Sequence, residues 1–137
     1  MKNVLKIVAI ISMLLLTVFA GGCGKSQEEK YTEARNEFVA LQQQFDKNIK
    51  DFENKSISTK KSANSDLEYF EEYIKLVGNF EKKANEKVQN MTEIAKGKLE
   101  LTKDVEQVKN EYHKKYDFYL NLLPGMKENL NKIKTKK

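Results

Sequence analysis

Cys23 and His113 are the chain's only thiol and only imidazole, so any thiol or imidazole chemistry would have to start from them. At helical spacing His113 has Lys109, Asn110, Tyr116 and Asp117 as neighbours, which gives it at most one carboxylate partner and no second metal ligand. A di-iron bundle would need Glu three residues before the histidine, and Asn110 stands there. His113 reads as a solvated surface residue. Gly24-Lys25-Ser26 has the ending of a phosphate-binding loop, but that motif also needs a preceding strand and a glycine where Phe19 stands. No Ser or Thr lies in a nucleophile setting. Glu and Lys recur four residues apart, as in Glu71–Lys75 and Glu111–Lys115. That is the pattern of a solvated helix face rather than of an acid/base dyad. These residues predict a protein that is not an enzyme and uses no metal and no dissociable cofactor.

Cys23 has a different context. Met1 to Lys6 forms a short positive start, and Ile7 to Phe19 is an apolar run broken only by Ser12 and Thr17. Ala20-Gly21-Gly22 then leads directly into the cysteine. A charged start, a short apolar core and small residues at the end make a secretory signal, too short to span a bilayer comfortably. The stretch resembles the lipobox of bacterial lipoprotein signal peptides, with Ala20 where Leu is commoner. The resemblance implies removal of residues 1–22, a diacylglyceryl group on the Cys23 sulfur and acylation of the new N-terminus. Two or more acyl chains hold a protein on a membrane for long periods, at roughly 0.8 kcal/mol per buried CH₂. The implied address is the extracytoplasmic face of the cell membrane. A chain with no second cysteine, and so no disulfide framework, agrees with it.

Residues 23–137 are enough for one domain with a modest core. One Pro, no Trp and abundant Lys, Glu, Asn and Gln favour helices over sheets. The formal charge is +5, of which Lys2 and Lys6 belong to the leader. Residues 27–54 carry seven acids against four bases, and residues 124–137 one acid against five bases. So small an excess gives no argument for nucleic acid, and an export signal argues against it.

The pattern of the body predicts an all-α fold, an up-down-up three-helix bundle over about 27–54, 66–96 and 99–122 with a short C-terminal helical segment. Residues 23–28 form the lipidated cysteine and tether, 29–134 the bundle domain and 135–137 a basic tail. Ser26-Gln27-Glu28-Glu29 is a capping box that opens the first helix. Tyr31, Ala34, Phe38, Leu41, Phe45 and Phe52 follow at steps of three and four, spoiled only at Asn48. The heptad-spaced aromatics read as core filling, since rings bury large areas. Lys55 to Ser65 is aperiodic and reads as a loop, and Ser65-Asp66-Leu67-Glu68 is a second capping box. Phe70, Tyr73, Val77, Phe80, Ala84, Met91 and Ile94 form the second stripe. Leu101, Val105, Val108, Tyr112, Tyr119 and Leu122 form the third, which Leu123-Pro124-Gly125 is expected to end.

Gly97 leaves an alternative, a long hairpin with helix 66–122 continuous, because one Gly costs only about 1 kcal/mol inside a helix. Geometry favours the break. The first helix is about 42 Å long at 1.5 Å per residue, so an antiparallel second helix returns to membrane level near residue 94. A straight continuation would drive the charged segment Lys98 to Asp117 into the bilayer and leave the third stripe without a partner. A turn with Gly97 as its C′ residue solves both problems.

In that bundle Lys55, Lys60, Lys61, Lys127, Lys132, Lys134, Lys136 and Lys137 gather at the end remote from the lipid, as contacts for a polyanion. The lipobox, the opening Ser26-Gln-Glu-Glu-Lys-Tyr31 and the Lys/Glu-rich body together resemble the cell-wall-binding lipoproteins of Gram-positive bacteria. That resemblance implies a small up-and-down bundle outside the membrane. The expected function is an envelope lipoprotein that binds wall polymer through this tip. The alternative is an interaction module, a scaffold or immunity-type inhibitor, that docks on another exported protein through a helix face.

Overall fold

The computed structural model describes residues 24–58 and 65–135, which form α1 (Gln27–Ser58), α2 (Ser65–Ala95) and α3 (Leu99–Thr135). They pack as the expected three-helix bundle, α2 antiparallel to α1 and α3 returning parallel to it. The first capping box closes as its residues dictate. The Glu29 amide donates to Ser26 Oγ at 3.2 Å, and the Ser26 amide donates to Glu29 Oε2 at 2.8 Å. Glu28 and Glu29 in the first turn of α1, and Asp66 and Glu68 in that of α2, also suit the positive helix ends.

One ring from each helix meets at mid-bundle. Phe45 stacks on Phe80 with centroids 3.9 Å apart, and Tyr116 lies edge-on to both at 5.5 and 4.8 Å. Above and below, the heptad-spaced Tyr31, Phe38 and Phe52 are all buried, as core filling requires. The three stripes thus close on a single apolar core.

The Gly97 break is present. Gly97 has φ 82°, a left-handed value that suits a residue without Cβ. The Lys98 amide donates to the carbonyl of Ala95 at 3.1 Å, and the Thr102 hydroxyl donates to the carbonyl of Lys98 at 3.0 Å. The chain therefore reverses in three residues, and the long continuous hairpin does not form.

Four details differ from the sequence pattern. First, α1 runs to Ser58, past the expected stop at 54. No Gly or Pro stands at 55–58, and the Ser56 hydroxyl returns its proton to the carbonyl of Phe52 at 2.7 Å, a bond that helices accommodate. Second, the α1 stripe passes through buried Ile49, while Asn48 points outward. Third, the α3 stripe passes through Tyr116 and Leu123, both buried, and Leu122 is 39% exposed. Steps of four and three from Tyr112 reach 116, 119 and 123, which a 3.6-residue period follows better than 119 and 122.

Fourth, α3 does not stop at Pro124. It continues to Thr135 with Pro124 inside. The ring is on the exposed side, where water can take the Leu120 carbonyl that proline leaves unpaired. The cost is a bend. The Tyr73 hydroxyl donates to the carbonyl of Tyr119 at 3.0 Å, so a straight α3 would set a residue near 121 opposite Glu71. Glu71 instead pairs with Lys134 at 2.8 Å. Thirteen helical residues span roughly 20 Å, more than the two side chains can cover. The turns after Pro124 therefore lean across the end of the bundle toward the start of α2, with Met126 packed on the core.

Candidate functional site

The bundle has a base, where α1 starts and α2 joins α3, and a tip, where α1 and α3 end and α2 begins. Gln27 fastens the base. Its Nε2 donates to the carbonyls of Ile94 at 2.6 Å and Lys96 at 2.9 Å, which holds the start of α1 against the α2–α3 turn. Lys98 pairs with Glu28 across the same end, and Lys25 holds Glu33 at 2.6 Å. Only Gly24, Lys25 and Ser26 separate this latch from Cys23. Cys23 itself lies outside the described residues.

The tip brings Lys55, Lys127, Lys132 and Lys134 to one end of the molecule. Lys60, Lys61, Lys136 and Lys137 lie outside the described residues. Three of the lysines at the tip meet carboxylates there. Lys55 Nζ donates to Glu72 Oε1 at 3.0 Å, Lys134 pairs with Glu71, and Lys132 pairs with Glu128 within its own helix. Lys132 holds the exposed Glu128 carboxyl below the usual range by hydrogen bond and charge. Two of these acids, Glu71 and Glu72, come from the second turn of α2 and the third, Glu128, from α3 itself, so the tip is a mixed-charge surface. The expected pairs Glu71–Lys75 and Glu111–Lys115 give way to cross-helix and other partners. Glu71 takes Lys134, Lys115 takes Asp46 at 2.6 Å, and Glu111 accepts from Gln107 at 2.9 Å. An exposed i,i+4 pair contributes only about 0.3–0.5 kcal/mol, so a neighbouring helix readily outcompetes it.

Two polar clamps tie α1 to α3. The Tyr31 hydroxyl donates to Asp104 Oδ2 at 2.7 Å, and the Nε of Arg35 lies 2.9 Å from the same oxygen. The Arg35 contact is one of opposite charges rather than an aligned hydrogen bond, since Nε is buried without a bond of good geometry. In the second clamp Asp46 accepts from the Tyr116 hydroxyl at 3.0 Å and from Lys115. Burial pushes the Tyr116 phenol up to about 12, and Asp46 adds to the shift while Lys115 opposes it. Burial pulls the Lys115 ammonium down, but its bonds to Asp46 and Tyr116 leave it raised. Neither clamp shows in a helical periodicity, because each depends on side chains about 70 residues apart.

An open groove of about 610 Å³ runs between α1 and α2. Its floor is apolar, with Leu41, Phe45, Leu76 and Phe80, and its rim carries Asn48, Asp51, Lys75 and Lys83. No His, Cys, Ser or Thr lines it. His113 sits elsewhere, exposed on α3, with Nδ1 3.0 Å from Asp117 Oδ1. Among the described residues no three His, Cys, Asp or Glu side chains gather to hold a metal ion, and no helix is long and apolar enough to cross a membrane.

Among the described residues, large apolar side chains reach solvent in two places. On the flank of α3, Phe118 is 71% exposed beside Leu122. At the base, Leu99 is 70% exposed. Compared with protein-family models, curated proteins and solved structures, the chain matches none.

Proposed function

We infer that the protein is a non-catalytic, lipid-tethered binding protein on the extracytoplasmic face of the cell membrane. Acyl chains at Cys23 hold the base, and the flank of α3 docks on another exported protein. The observation that carries the docking is Phe118, a large ring 71% exposed, with Leu122, itself 39% exposed, one turn away on the same flank of α3. Rings are enriched among residues that anchor protein interfaces. A photo-crosslinker at position 118 in intact cells tests this. The expected result is one discrete protein adduct that survives moderate salt and deletion of residues 132–137. A crosslinker that captures only lipid or nothing defeats the reading.

A second reading is contact between the tip and anionic wall polymer. It is supported by the convergence of Lys55, Lys127, Lys132 and Lys134 at the end remote from the tether. The acids of α2 and Glu128, which hold three of these lysines, weigh against it. Retention on isolated cell walls that falls with salt, and falls again when lysines 132–137 become glutamine, would favour the polymer over the protein partner.

A further inference from the structure

We propose that the base of the bundle rests on the phospholipid headgroup layer, with Leu99 inserted into it. This rests on the reading of Cys23 as the lipid-bearing residue. Four observations carry it. The chain from Cys23 to Gln27 reaches at most about 14 Å when fully extended, so the start of α1 cannot stand far from a membrane that holds Cys23. Gln27 is bonded to the carbonyls of Ile94 and Lys96 at 2.6 and 2.9 Å, so the α2–α3 turn is held at the same height. Leu99 opens α3 just past that turn and is 70% exposed. Side chains in a first helical turn lean toward the helix N-terminus, and the N-terminus of α3 is at the base, so Leu99 leans out of the bundle on the tether side.

The charges of the base suit such contact. Lys25, Lys96 and Lys98 are each paired, with Glu33, Glu93 and Glu28. This end therefore carries three neutralised lysines, with the exposed Glu100 beside the aliphatic Leu99, and its contact with the layer needs no anionic lipid. The depth is set by the acyl chains and the short tether, with Leu99 as a second, off-axis point of contact. Two points of contact restrict the tilt of the bundle where one would leave it free to swing.

The test uses the full lipidated protein in vesicles of phosphatidylcholine and phosphatidylglycerol. With Cys23 blocked by its thioether, Leu99→Cys and, in a separate protein, Phe118→Cys each provide one free thiol for an environment-sensitive fluorophore. Position 118 lies roughly 28 Å farther along α3 and serves as the aqueous reference. The label at 99 is expected to be quenched about twofold or more by brominated lipid and shielded from iodide, and the label at 118 the reverse. Equal iodide access at 99 and 118, with mass spectrometry showing the diacylglyceryl group in place, overturns this proposal and leaves the tether standing. An unmodified Cys23 overturns both.

Discussion

Phe45 and Phe80 lie ring on ring across the α1–α2 interface, 3.9 Å between centroids and 12° between planes. Tyr116 closes the third side, so these rings form the centre of the core. Replacing either phenylalanine by alanine empties a site bounded by three helices that cannot all collapse into it. Phe45→Ala and Phe80→Ala are each expected to cost about 3–5 kcal/mol, and Phe45→Leu clearly less. Urea unfolding followed by helical circular dichroism measures the difference.

Gly97 offers a cleaner test of local geometry. A Cβ built there meets nothing within 4 Å, so any penalty comes from the positive φ alone. Gly97→Ala is expected to lower stability by about 1–2 kcal/mol, and Gly97→Asn by less, because Asn tolerates the left-handed region. Thermal melting of the two variants against the parent decides it; equal melting would sink the account.

The Tyr31–Asp104–Arg35 clamp predicts a coupled loss. Asp104→Ala leaves both partners facing an empty position, at an expected cost of about 1–3 kcal/mol. Tyr31→Phe added to Asp104→Ala is expected to cost less than the two single changes together, because the second change removes a bond already lost. A double-mutant cycle gives that coupling energy directly.

Burial pushes the phenols of Tyr73, Tyr112 and Tyr116 up to about 12, and raises those of Tyr31 and Tyr119 as well. A group that holds its proton more tightly when folded stabilises the fold fully below its unfolded value, near 10, and loses that contribution as pH rises through the folded value. Stability is therefore expected to be flat up to about pH 10 and to fall between about 10 and 12. Tyrosinate absorbance should lag in the folded protein and rise together with loss of helix. A fold that holds its full stability at pH 12 contradicts the burial of these hydroxyls.

Pro124→Ala restores the amide that can bond the Leu120 carbonyl, and it removes the reason for the bend. The last turns of α3 are then expected to straighten, so that spin labels at positions 71 and 134 move apart by roughly 10–20 Å. Helix content should stay constant or rise. Unchanged label distances would show that packing at Met126, rather than the proline, sets the bend.

The sequence made the helices and the Gly97 turn legible because both depend on neighbours in the chain. The capping box at Ser26, the stripe from Tyr31 to Phe52 and the lone glycine between two apolar runs each carry their own local reason. The tip was less legible. Counting lysines in the chain's last fourteen residues predicted a basic end, but Glu71 and Glu72 arrive there from another helix, and only the packing places them. The same limit hid Arg35, whose role depends on Asp104 in a different helix. Leu122 and Leu123 differ for a simpler reason: two apolar positions one residue apart on a long helix compete for one stripe, and Leu123 takes it. The effect of Pro124 depends on the side it faces, which the sequence does not display: toward solvent, the helix bends and continues.

The latch at Gln27 also governs how the molecule answers a pull. The first described residue, Gly24, is at one end of the bundle and Thr135, on the parallel helix α3, is at the other. Tension drawn between these points runs lengthwise through the stacked rings and both polar clamps, so the helices must slide past one another as whole layers. Tension applied between Ser58 and Ser65 would instead part α1 from α2 one turn at a time. The molecule is thus built to be stiff along the line from Gly24 to Thr135 and yielding across it.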